Sequence, residues 1–254
     1  MPDKIHYLYS AETGIELVFC EHSTISYPLH NHVSVLTIGI VLDGCVVLTT
    51  AQGEETCTRN QIFLLDPYVP HSISTPKHYT LLSICIDKNA LMRHDVDTIQ
   101  KNITALLKST LCTEKMNPRQ ILQLLSCQNV FARCSGWHAD TRSTLINTLK
   151  NQLELYPEQK QSIGEMAQTA FLSKYHFIRS FKAQVGLTPH QFQMQNRIRK
   201  AKRLMQQSGT ITEVALTAGF CDQSHFIKQF EKQVGLSPLT YKRSFAMIAP
   251  AKTD

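Results

Sequence analysis

A block of about fifty residues occurs twice in the C-terminal third of this chain. Ile163, Met166, Ala167 and Ala170 recur 48 positions later as Ile211, Val214, Ala215 and Ala218. Phe177, Phe181, Val185, Gly186, Leu187 and Pro189 recur 49 positions later as Phe226, Phe230, Val234, Gly235, Leu236 and Pro238. The second copy has therefore gained one residue between Ala218 and Phe226. Inside a helix that residue would rotate everything after it by about 100°, so the slip marks a turn. The repeated unit is helix, short turn, helix.

Each copy carries its own stop and start signals. Gly186-Leu187 and Gly235-Leu236 close one helix, and Thr188-Pro189 and Ser237-Pro238 open the next with a hydroxyl cap and proline at the first helical position. Phe177, Phe181 and Gln184/Val185 fall on one stripe, as do Phe226 and Phe230, and an inward aromatic stripe is core. The opposite face is the informative one. It presents Lys174, Tyr175, Ile178, Arg179 and Lys182 in the first copy and Gln223, Ser224, Ile227 and Lys228 in the second. Such a face can lay donors and acceptors along base edges in a major groove.

Charge is distributed to match. Residues 161–254 hold thirteen Lys and Arg against five Asp and Glu, whereas residues 1–160 hold thirteen against fifteen. A basic excess confined to the repeated half suits a polyanion partner, because neutralising phosphates releases condensed counterions. Alone it fits a solvated basic face equally well; the doubled helix-turn-helix favours DNA.

The run from Ile211 to Tyr241 resembles the signature of the AraC/XylS family of bacterial transcription regulators. It has an Ala-x-x-x-Gly-Phe turn at Ala215–Phe220, an aromatic-centred recognition helix and a closing Gly-x-Ser-Pro-x-x-Tyr at Gly235–Tyr241. The similarity spans about 85 residues, from Ser162 to Phe245. In the looser first copy Phe171-Leu172 replaces Gly-Phe, and the closing aromatic is Phe192. Arg197–Met205 resembles the family's basic linker helix, expected to pack Ile198, Ala201, Leu204 and Met205 and turn its cations outward. By position the resemblance implies base reading by Tyr175, Ile178 and Arg179 in one helix and Gln223, Ser224 and Lys228 in the other. It places Lys174, Lys182 and Lys232 at phosphates, which position the protein without specifying sequence. Ile178 cannot hydrogen-bond a base edge, so it either packs against a thymine methyl or contributes nothing to specificity. His176 and His225, beside the inward phenylalanines, read as packing or phosphate contacts.

The N-terminal half is built of β-strands. From Tyr27 to Ile86 short runs rich in Val, Ile, Leu and Thr alternate with turn signals at Asp43-Gly44, Gln52-Gly53, Arg59-Asn60, Asp66-Pro67 and Thr75-Pro76, which indicates an antiparallel sandwich or barrel. Val33–Leu42 should be a buried central strand. His30-Asn31-His32, paired with Pro67-Tyr-Val-Pro-His71, resembles the cupin-type sensor domain common in this regulator family. In a metal-binding cupin His30, His32 and His71 would be ligands beside a glutamate, but no carboxylate follows in Val33–Ile38. The expectation is no metal and no cofactor, with the three histidines contacting a small-molecule effector in the barrel mouth. Histidines bonding strand ends are the plain structural alternative.

The fold class expected is a two-domain α+β chain. It comprises a cupin-like barrel domain over residues 1–90, a helical connector and possible dimerisation region over 91–157, and an all-α double helix-turn-helix domain over 158–254. The connector stripes are Ile99, Ile103, Leu106 and Leu107; then Ile121, Leu122, Leu124 and Leu125 behind Asn117-Pro118; then Leu145, Leu149 and Leu153. Some of this surface must cover the barrel, and the rest fits a homodimer contact or an intramolecular bundle equally; the polar run 157–162 reads as the interdomain linker. No apolar run approaches a membrane span and the start is no signal peptide, so a cytoplasmic chain is expected. The eight scattered cysteines lack a Cys-x-x-Cys pair and read mostly as small buried hydrophobes, although Cys127 and Cys134 could sense oxidants or soft metals.

These readings combine into an effector-controlled transcription regulator, an activator and not an enzyme. Its expected partners are double-stranded promoter DNA, RNA polymerase and a second copy of itself. Its two reading heads would address major-groove segments about 34 Å apart. Two alternatives remain open: a metal- or redox-sensing regulator using the three histidines or the cysteines, and a metal-dependent cupin enzyme with an accessory DNA module.

Overall fold

The computed structural model describes residues 4–10, 14–109, 117–127, 130, 145–206 and 209–246. Eight strands form one antiparallel curled sheet: β1 (Lys4–Ser10), β2 (Ile15–Ser23), β3 (Tyr27–His30), β4 (Val35–Thr50), β5 (Gly53–Thr58), β6 (Ile62–Leu65), β7 (His71–Ser74) and β8 (Tyr79–Asp87). The order along the sheet is β1-β2-β8-β4-β7-β3, with β5 and β6 also paired to β4.

The long strand β4 organises this unit. Its first half pairs with β8 and β6, and its second half with β5 and β7. Leu36, Ile38, Ile40, Val41 and Leu42 are buried, as expected of a central strand. Asp43-Gly44, however, is not a turn between strands. The strand runs through it as a bulge, with the register to β8 shifting between Val41 and Asp43 and Gly44 at φ +71°. Glycine tolerates that left-handed φ without ending the strand. Strands β1 and β2 lie ahead of the strand-rich stretch that begins at Tyr27.

Helices α1 (Lys88–Arg93), α2 (Val96–Ser109) and α3 (Pro118–Cys127) follow. Ile99, Ile103, Leu107, Ile121 and Leu125 join Ile15, Leu17, Ile38, Ile40, Leu82 and Ile84 in one apolar cluster, so α2 and α3 cover a sheet face. Burying each such side chain contributes roughly 1.5–3 kcal/mol.

The remaining helices are α4 (Leu145–Leu155), α5 (Ile163–Thr169), α6 (Lys174–Val185), α7 (Pro189–Met205), α8 (Ile211–Thr217), α9 (Gln223–Val234) and α10 (Pro238–Ala246). On α4, Leu149 and Leu153 are buried while Leu145 is 49 % exposed, Ile146 taking the inward position. Two compact units divide the chain near residue 140, and α4 belongs with the helical one. No helix among the described residues is long and apolar enough to cross a membrane.

Capping defines the helical repeat. Ser162, Thr188 and Thr210 each form a capping box with Glu165, Gln191 and Glu213, and Ser173 and Asp222 cap the second helix of each pair. Gly186 and Gly235 end those helices at φ +80° and +79°. Each cap satisfies backbone groups that a helix end leaves unpaired and contributes about 0.5–2 kcal/mol.

The two aromatic cores are built alike. Phe177 and Phe181 pack with Phe192 in the first copy, and Phe220, Phe226 and Phe230 with Tyr241 in the second, at ring separations of 5.0–5.8 Å. These tilted and edge-to-face contacts tie α6 to α7 and α9 to α10, fixing each exposed helix against the one that follows it.

Residues 157–159, the first part of the run expected as the interdomain linker, are fastened to α7. The Gln193 amide donates to the Pro157 and Gln159 carbonyls, Arg197 Nε donates to Pro157 O at 2.8 Å, and Lys200 pairs with Glu158 at 2.8 Å. Arg199 faces Glu154 of α4 at 3.6 Å. The outward cations expected on α7 are thus turned largely toward residues 154–158, and Arg203 is the exposed one. Ile198, Ala201 and Met205 are buried as expected, whereas Leu204 is half-buried.

Candidate nucleic-acid interface and histidine site

Helices α6 and α9 hold their aromatic stripes inward, which fixes the face each turns to solvent. On α6, Lys174, Tyr175, Arg179 and Lys182 are exposed and Ile178 is half-buried. Arg179 lies over the Tyr175 ring at 5.6 Å, an i,i+4 cation–π pair that extends the guanidinium along the helix. A shallow groove on this face is lined by Ser173, Tyr175, His176, Arg179, Ser180 and Ala183. His176 is exposed on that groove and is not packed. Ser180 is one position from Arg179 and had no charge or motif to single it out in the sequence.

On α9, Gln223, Ser224, Lys228 and Lys232 are exposed. Gln223 Oε1 accepts from the Thr212 hydroxyl of α8 at 2.8 Å. At the corresponding place in the first copy Gly164 lies beneath Lys174, whose Cε would be 3.0 Å from a Cβ there. His225 packs edge-on against Phe220 at 5.6 Å, so of the two histidines it is the one that packs.

The turns between the paired helices differ in one respect. Gly219 stands at φ +91° in the second, and Phe171 takes the same place at φ +56° in the first. That is the physical content of the looser first motif.

In the curled sheet, strand pairing brings the three histidines together. His30 lies opposite His71 in the β3–β7 register, and His32 follows two residues on. Ring centroids are 4.3 Å apart for His30 and His71, 4.9 Å for His32 and His71, and 5.3 Å for His30 and His32. One ring nitrogen from each lies within 4.8 Å of the others, and among the described residues no carboxylate joins the group.

Each ring is oriented by its surroundings. His30 Nδ1 donates to the Pro28 carbonyl at 2.8 Å, and His32 Nδ1 bonds the Thr37 hydroxyl. His71 is fully buried. Burial pushes the His30 pKa below the usual histidine value, outweighing the Pro28 bond, which favours the cation. A neutral His30 protonated at Nδ1 offers its Nε2 lone pair as an acceptor or a ligand.

Cys20, Cys57 and Cys85 are buried, Cys45 is half-buried, and Cys127 and Cys221 are exposed. Cys134, the suggested partner of Cys127, lies outside the described residues.

Comparison with known proteins follows the same division. A family described as a helix-turn-helix domain matches residues 166–244. The probable transcriptional regulator LumQ of Photobacterium leiognathi is 35% identical over 73 residues, 28% of this chain and 29% of that protein. The regulator MtrA of Neisseria gonorrhoeae is 34% identical over 86 residues, 34% of this chain and 27% of its own. The chain carries an AraC/XylS-type helix-turn-helix domain.

The AraC-type domain accounts for these sequence matches, and the chain spans less than a third of the length of these curated relatives. Over nearly the whole chain the fold is that of ToxT from Vibrio cholerae. The structure of wild-type ToxT with unsaturated fatty acid bound has a TM-score of 0.59 at 12% identity, covering 99% of this chain and 100% of that one. A second ToxT structure, from strain O395, gives 0.59 at 10% identity over 91% and 97%. The two-domain fold, a curled antiparallel sheet followed by the AraC-type helices, is therefore as the sequence implied.

Proposed function

We propose that the chain is a sequence-specific DNA-binding transcription regulator, an activator working as a homodimer, controlled by a small organic effector held at His30, His32 and His71. The observation that carries it is the pair of capped, aromatic-anchored helices α6 and α9. Both expose polar and basic side chains, in a domain of the AraC type. Tyr175, Arg179, Gln223, Ser224 and Lys228 read base edges, with Ile178 against a thymine methyl. Lys174, Lys182 and Lys232 engage phosphates. RNA polymerase is the downstream partner, and the site of action is the cytoplasm.

Three clustered imidazoles, His30 oriented by Pro28, His32 by Thr37 and His71 buried beside them, suit the polar end of an organic ligand. The like-folded ToxT is seen with an unsaturated fatty acid bound, which agrees with an effector of this class. The effector acts by binding one conformational state better than another, so it must shift DNA affinity by the same factor as DNA shifts effector affinity.

The test is promoter binding by the purified full chain with and without extracted metabolites, followed by footprinting. Protection of two adjacent major-groove segments, with affinity falling steeply as salt rises, is the expected result. Equal affinity for promoter and scrambled DNA at every salt concentration would overturn it. The geometry also favours a second reading, in which the three histidines hold a borderline divalent metal, since their ligand atoms lie within 4.8 Å of one another. Loss of the effector response on metal removal alone would select that reading.

A further inference from the structure

The curled sheet contains a second histidine cluster on its other strands. His22 near the end of β2, Asp43 in the middle of β4 and His78 immediately before β8 bring one ligand atom each within 4.8 Å of one another. His78 Nε2 is 3.6 Å from Asp43 Oδ2, and the His22 and His78 rings stack at 4.0 Å. The DNA-reading surface uses none of these residues.

The backbone is shaped around this point. Strand β8 lies between β2 and β4, and both neighbours slip register opposite the same residue, Thr80. On one side Cys20 pairs with Leu81 and Ser23 with Tyr79; on the other Val41 pairs with Leu81 and Asp43 with Thr80. Each neighbour therefore carries one extra residue, and a bulge of this kind re-aims side chains. His22, inside the first bulge, is held at φ +51° with its N–H donating to Thr80 Oγ1 at 3.2 Å. A left-handed conformation is costly for a residue with a Cβ and persists only where its surroundings impose it. Just past the second bulge Gly44 is constrained too, since a Cβ there would meet the His78 carbonyl oxygen at 2.2 Å. The close approach of Gly44 to His78 sets His78 beside Asp43.

We infer that His22, Asp43 and His78 form a binding site for a divalent transition-metal ion of the zinc class. Two imidazoles and one carboxylate are a donor set for such an ion, with a fourth position left to water. In a tetrahedral site with bonds of about 2.1 Å, neighbouring ligand atoms stand roughly 3.4 Å apart, close to the separation of His78 and Asp43. The exposed His22 has to turn out of its stack on His78 to bring its ring nitrogen to the same distance. The ion ties β2, β4 and β8 together across their paired bulges, so its occupancy raises the stability of the sheet unit by linkage.

The experiment is zinc titration of the full-length chain against a chromophoric chelator, with thermal melting in parallel. Wild-type protein should bind zinc and melt at a higher temperature with it. His22→Ala, Asp43→Asn and His78→Ala should each weaken that binding by about tenfold or more. His30→Ala, in the other histidine cluster, should leave it intact. Diethyl pyrocarbonate labelling of wild-type protein, read by mass spectrometry, gives a measurement independent of variant folding: zinc should protect His22 and His78. Absence of zinc binding at micromolar protein would overturn the site, as would labelling of His22 and His78 unchanged by bound zinc. Loss of binding on His30→Ala with none on His78→Ala would assign the ion to the three-histidine cluster instead.

Discussion

Gly219 and Phe171 hold the same left-handed position in the two helix-turn-helix turns, but only at Gly219 does the chain leave no room for a side chain. A Cβ on Gly219 would lie 2.5 Å from Glu158 Cα, whereas Phe171 is 88 % exposed. The second turn is packed against Glu158 and Arg197 and the first is open. Gly219→Ala should therefore destabilise the AraC-type domain by about 2–4 kcal/mol, combining backbone strain with displacement of Glu158. Phe171→Gly should change stability by less than about 1 kcal/mol, because relief of strain offsets the added chain entropy. Urea melts of the two variants decide it, and equal losses would show that the Glu158 contact is immaterial.

Specificity should reside in a few side chains. Arg179→Ala and Gln223→Ala should each lose on the order of 1–3 kcal/mol at the cognate site while hardly altering affinity for scrambled DNA. Lys182→Ala and Lys232→Ala should weaken both equally and flatten the salt dependence. Anisotropy titrations on matched and scrambled duplexes separate the two classes. Equal losses from Arg179→Ala on both duplexes would reassign that residue to the backbone.

The helical domain was legible in the sequence because its signals are local and doubled. The Phe177/Phe181 and Phe226/Phe230 stripes, the hydroxyl caps and the Gly186 and Gly235 stops all appear as predicted, since each depends on neighbours within a few positions. Asp43-Gly44 misled for the converse reason. A glycine at positive φ closes a hairpin or forms a bulge according to which strand lies alongside, and that strand, β8, is more than thirty residues away. The meeting of His30, His32 and His71 was readable by resemblance, whereas His22, Asp43 and His78 converge only through two bulges that no local pattern encodes. The inward turn of Arg197, Arg199 and Lys200 is not legible in the sequence, because their partners Pro157, Glu154 and Glu158 lie forty or more residues earlier in the chain.

Those same contacts bear on where the DNA-binding unit begins. Leu149 and Leu153 are buried on α4, and Gln193 and Arg197 hold the Pro157 and Gln159 carbonyls. A fragment beginning at residue 145 should accordingly be more stable than one beginning at 163, by several kcal/mol if each leucine contributes roughly 1.5–3. Both should still bind DNA where folded, since α6 and α9 are common to them. Identical melting of the two fragments would show that α4 and residues 157–159 add nothing to the helical unit.

The pH response of the sheet unit follows from His30. Its pKa is lowered by burial, so the unfolded chain binds a proton there more readily than the folded one. Stability from this residue is then fully present above the ordinary histidine value of about 6.5 and is lost as pH falls through the lower folded value, because protonation favours the unfolded chain. His30→Asn keeps a polar side chain but removes the titration, so it should flatten the decline between neutral and mildly acidic pH. The same variant should abolish the effector response if His30 accepts from the ligand, with DNA binding in the absence of effector unchanged. Thermal melts across that pH range test the first expectation and effector-dependent DNA titrations the second. A variant whose melting falls with acid as steeply as wild type would remove His30 from the pH response.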